Sequence, residues 1–84
     1  MLRKGNQLYG IIVEIVGKHM GKISDNFVSR QLNFINKSPD NLDVEDLPIL
    51  AEKIRENSVI LIGKNRADMI YNRIMGIYNS RKRS

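Results

Sequence analysis

Ala67, Ile70, Tyr71, Ile74, Ile77 and Tyr78 recur at spacings of three, one, three, three and one, and only an α-helix gathers residues so spaced onto one side. The helix is expected from Arg66 to about Asn79. Asn65 is a fitting N-cap, and Asp68, three residues on, can reach back to the Asn65 amide as the second half of a capping box. The preceding stretch repeats the pattern. Leu47, Leu50, Ala51 and Ile54, then Leu61 and Ile62, share a face, and Gly63 can supply the left-handed conformation that closes a helix. Asp43 and Asp46 are both plausible caps for its start. Leu42 and Leu47 have hydrophobic-staple spacing about Asp43, whereas Pro48 is easier to place if the helix begins at Leu47.

The N-terminal half reads as two further helices. Leu8, Ile11, Ile12, Ile15 and Val16 match a helical face, and strict alternation fails at Ile11, Ile12 and Val13. After a break near Gly21, Ile23, Phe27, Val28, Leu32, Phe34 and Ile35 follow, with Ser24 as a candidate cap. Residues 36–41, with Pro39 among Ser, Asp and Asn, form the one substantial loop.

The expected fold is therefore all-α: one domain over residues 1–84, a small bundle of about four helices ending in a helix-turn-helix-like αα-hairpin, with residues 80–84 as a flexible basic tail. The alternative is α+β. It pairs the β-branched runs 11–16 and 59–62 as a two-stranded sheet backed by helices. At 84 residues, only about 60 to 65 per cent of the unfolded surface is buried, so stability is modest. With five aromatic residues in all, the core is mainly aliphatic.

Composition excludes several chemistries. Without cysteine there is no disulfide, thiolate metal site or thiol nucleophile, and a cytoplasmic setting fits. The run from 11 to 16 is broken by Glu14 and far short of the ~20 apolar residues of a membrane span. Arg3 and Lys4 ahead of it lead to no signal-peptide cleavage site, so a soluble, untargeted chain is expected. His19 is the sole histidine, no nucleophile triad is marked, and it reads as a half-buried helix-face residue. Asp40, Asp43, Glu45 and Asp46 lack the spacing, central glycine and closing Glu of a calcium loop and are explained by helix capping. Gly63, Lys64 and Asn65 lack the first glycine and the hydroxyl of a phosphate-binding loop. No cofactor, metal or enzymatic activity is expected.

Two binding functions remain. The first is an interaction module that binds a protein partner or a second copy. Its candidate contacts are the stripe Gly10, Gly17 and Gly21, whose helical cost of about 1 kcal/mol per glycine calls for an offsetting close approach, and the apolar residues Ile49, Val59 and Ile60 outside the main stripes. The second is a basic nucleic-acid-binding domain using Lys64, Arg66, Arg73, Arg81, Lys82 and Arg83. The net charge of +5 conceals a polarity that bears on both. Residues 38–56 carry six acids against two bases, net −4, and residues 57–84 six bases against one acid, net +5. Such polarity can steer an anionic partner or pair two copies head to tail.

Overall fold

A computed structural model describes residues 5–83, with the Arg83 side chain excepted; Arg3, Lys4 and Ser84 lie outside the described residues. The elements are α1 (Gln7–Met20), a 3-10 turn (Gly21–Ile23), α2 (Ser24–Phe34), a second 3-10 turn (Val44–Asp46) and α3 (Leu47–Arg83).

All-α is right, but the bundle of about four helices is not. Among the described residues the α-helical elements are α1, α2 and the long α3, in which two helical arms meet directly at a kink at Gly63 (φ 88°, ψ 164°) with no loop over 63–65 between them. A straight helix of 37 residues would be about 55 Å long. The longest dimension of the fold is 32 Å, so α3 bends sharply at Gly63. The helix-turn-helix-like hairpin is thus replaced by a one-residue kink. The capping box expected between Asn65 and Asp68 does not form: the second arm follows Gly63 directly, and Asp68 pairs instead with Lys64 one turn earlier, at 2.9 Å. The two-stranded alternative fails too. Residues 11–16 lie inside α1 and 59–62 inside α3, and no strand occurs among the described residues.

Local chemistry explains each boundary. The Asn6 carboxamide oxygen accepts from the Tyr9 amide at 2.9 Å, while its amide nitrogen donates to the Leu42 carbonyl at 2.9 Å, so the cap of α1 also holds the loop before α3. The Ser24 hydroxyl donates to the Gly21 carbonyl at 2.7 Å instead of accepting from an amide, which makes it part of the first turn of α2 and not its cap. At the far end, Asn36 takes φ 60°, and the Lys37 and Asn36 amides donate to the Leu32 and Asn33 carbonyls at 2.9 and 3.1 Å. This pair of bonds is the Schellman closure. Asp43 and Asp46 form a capping box around the second 3-10 turn, and α3 starts at Leu47, with Pro48 in the first turn where no amide partner is missing. Both acids therefore serve the one start.

The core is aliphatic apart from Tyr9. Ile12 and Val16 of α1, Val28 and Leu32 of α2, and Leu47, Leu50, Ile54, Ile70 and Ile74 of α3 are fully enclosed. The Arg55 guanidinium lies 3.9 Å from the centre of the Tyr71 ring, which ties the two arms of α3 across the bend. Helix α3 runs on to Arg83, past the end expected near Asn79, and Lys82 ion-pairs with Glu45.

Candidate interaction surface

Leu50, Ile54 and Ser58 continue to Leu61 at helical spacing, so Leu61 belongs by pattern to the buried face of α3. The bend two residues later carries the second arm away, and Leu61 is left 56% exposed. Ile23, at the end of the first 3-10 turn, and Phe27, Arg30 and Phe34 of α2 form a second stripe, separate from the buried Val28 and Leu32. The two stripes face one another across a groove. Its parts, about 230 and 350 Å³, share Phe27, Arg30 and Leu61 and are therefore continuous. The floor is closed by a side-chain bond between elements: the amide nitrogen of exposed Asn57 donates to the carboxamide oxygen of buried Gln31 at 2.6 Å.

Ile60 stands at the rim and is 91% exposed, with Phe34 at 59% and Ile23 at 51%. With Leu61 these side chains leave on the order of 500 Å² of apolar surface in water, the upper range for a monomeric protein and the size at which such patches are commonly functional. Arg30 is the charge set among them.

The expected contact residues are distributed unevenly. Ile60 lies on this surface, Ile49 is 57% exposed further along the same arm, and Val59 is 38% exposed on another side of it. The glycines lie elsewhere. A Cβ on Gly17 would meet the Ser24 hydroxyl oxygen at 3.6 Å, an ordinary packing distance inside the fold, and Gly21 takes φ 64° to close α1. Gly10 lines an open groove beside Tyr9 and Glu14. Phe34, Leu61, Ile23 and Phe27 were not among the expected contacts, because their spacing matches core positions equally well.

Of the expected nucleic-acid contacts, Lys64 and Lys82 are held in ion pairs with Asp68 and Glu45. Arg66 is exposed, and Arg73 and Arg81 line a groove between α1 and the second arm of α3, beside Ile11 and Gly76. The Arg83 side chain lies outside the description. The other five are not gathered around one feature. The charge polarity is in part spent internally, since Lys37–Asp46, at 3.2 Å, and Lys82–Glu45 join bases to the acidic segment.

His19 lines a small groove with Ile15, Lys18, Met69 and Arg73. Among the described residues, no group of three or more His, Asp or Glu is placed to hold a metal ion, and no helix is long and apolar enough to cross a membrane. Tyr9 has a strongly displaced titration. Burial, and then the hydrogen bond to the Asp25 carboxylate, push its hydroxyl well above the usual tyrosine range. That hydroxyl is also 2.9 Å from the Asp25 carbonyl, so it fastens α1 to the start of α2. Comparison with family models, curated proteins and solved structures finds no match for this chain.

Proposed function

We propose that this protein is a non-enzymatic helical interaction module, cytoplasmic in setting, that works by docking the α2/α3 surface onto a protein. The observation that carries the reading is the apolar surface around Ile60, which has no cover among the described residues. Removing such a surface from water is the dominant favourable term in association, and aromatic side chains such as Phe34 are enriched where binding energy concentrates. The lack of cysteine supports the cytoplasmic setting. The nucleic-acid reading has less support, because two of its bases are paired within the chain. The occupant favoured is a second copy, on the grounds set out below.

The test is a photo-reactive residue placed at Ile60 or Phe34 in the full chain, with Asn79, exposed on the second arm, as the control. Irradiation in the producing cell is expected to give a discrete protein adduct from the first two positions and none from the third. Equal labelling at all three, or none at any, refutes the reading.

A further inference from the structure

The outward face of the first arm of α3 carries a pattern that the groove does not explain. Ile49, Lys53, Glu56 and Ile60 are spaced by four, three and four residues, which is the spacing of a heptad seam, and they lie within one narrow stripe opposite the buried Leu47, Ala51, Ile54 and Ser58. The two isoleucines are 57% and 91% exposed. Both charges are absent from every ion pair found among the described residues, where the carboxylate nearest in sequence, Glu52, is taken by Arg55 at 2.9 Å. A heptad seam with apolar ends and no covering helix lacks a partner.

The stripe is also a palindrome. Reading from either end gives Ile, a charge, the opposite charge, Ile, with the midpoint between Ile54 and Arg55. Laid antiparallel against itself about a two-fold axis at that midpoint, Ile49 meets the Ile60 of a second copy and Lys53 meets its Glu56, each contact occurring twice. In antiparallel helix pairs it is the two kinds of seam position that face each other across the interface, as this register requires. Pro48 at one end and the Gly63 bend at the other confine the pairing to this arm.

We infer that the partner of this surface is a second copy of the chain, docked through an antiparallel pairing of the first arms of α3, with Leu61 and Phe34 beside Ile60 widening the contact. This rests on the interaction reading above and names its partner. With only two exposed isoleucines and one charge pair from each copy along a single short arm, the contact is small, which places the dimer in the weak, transient class. Two Lys53–Glu56 pairs set the register, and two isoleucine pairs supply the apolar contact.

Sedimentation of the full chain from about 10 μM to about 1 mM, at low salt, is expected to show a monomer passing to a dimer. Lys53→Glu or Glu56→Lys alone sets like charges together twice and is expected to weaken the dimer about tenfold, while the double swap restores it. Since the chain has no cysteine, Ile49→Cys with Ile60→Cys is expected to oxidise to a covalent dimer. Ile49→Cys alone is expected not to, because the axis places the two copies of position 49 about 16 Å apart along the helices. A chain that stays monomeric throughout overturns the inference, as does a dimer indifferent to the charge swaps or one cross-linked by Ile49→Cys alone. A monomeric chain that still gives a position-specific adduct at Ile60 with a different protein overturns the self-pairing and leaves the interaction reading standing.

Discussion

Gly63→Ala isolates what the bend in α3 requires. At φ 88° and ψ 164° the residue lies in a region of backbone space that is essentially reserved for glycine, where an L side chain costs about 1–3 kcal/mol. Apart from its chain neighbours and the adjoining helix backbone, no atom comes within 4 Å of the position a Cβ would take, so the cost is local backbone strain and not a clash with packed side chains. Alanine also favours a continuous helix by about 1 kcal/mol over glycine, which biases residues 47–83 toward the straight form that would strip Ala67, Ile70 and Ile74 from the core. The expected outcome is a loss of about 1–3 kcal/mol, a large fraction of the stability of so short a chain. Urea unfolding followed by far-ultraviolet circular dichroism reads it as a lower midpoint at unchanged slope. A D-alanine introduced by chemical synthesis reverses the sign, since the mirror-image conformation is ordinary extended backbone for an L residue. It is expected to match the wild type or exceed it by about 0.4–1 kcal/mol through a more restricted unfolded chain. An L-alanine variant as stable as the wild type, or a D-alanine variant as weak as the L form, would refute the reasoning.

The Schellman closure at Asn36 (φ 60°) predicts that Asn36→Ala loses about 1 kcal/mol in the same assay, whereas Asn36→Gly stays within a few tenths. Asp43→Ala removes one half of the capping box at the start of α3 and should lower stability by about 1 kcal/mol, with Asp46→Ala adding less than its own separate effect because both act on one turn. The raised Tyr9 titration has a definite sign: its neutral form is stabilised in the folded state, so the contribution is fully present below the unfolded tyrosine value of about 10 and declines as pH rises above it. Unfolding midpoints should therefore fall progressively above about pH 10, and Tyr9→Phe should flatten that fall while weakening the protein at neutral pH through loss of the Asp25 bond.

How much of this fold is legible beforehand depends on whether the deciding force is local. Helix caps and periodic stripes are local, and the loop beginning at Asn36, a helix start marked by Asp43 and Asp46 and the stripe from Ala67 to Ile74 follow from nearest neighbours along the chain. The direction the chain takes after Gly63 is not local. Glycine followed by Lys64 and Asn65 has every mark of a stop and a restart, and both occur at one residue: the unusual φ, ψ pair of Gly63 ends the first arm and the second follows directly, with Lys64 and Asp68 paired along its first turn. That one geometric choice then decides the surface. Leu61 is periodic with Leu50, Ile54 and Ser58 and would be buried if that stripe extended one more turn; the bend ends the buried stripe of the first arm at Ser58 and leaves the next apolar position as the wall of a groove. Phe34 on α2 and Ile23 just before it follow the same logic, since Val28 and Leu32 occupy the inward face and leave their neighbours turned outward. Ile49 and Ile60 stand out in the sequence because they fit neither buried stripe, whereas the partners of Ile60 in the groove resemble core residues until the bend is known. An apolar residue off the period is thus visible from sequence, and an apolar residue on the period but beyond the end of the core becomes visible only once the tertiary path is fixed.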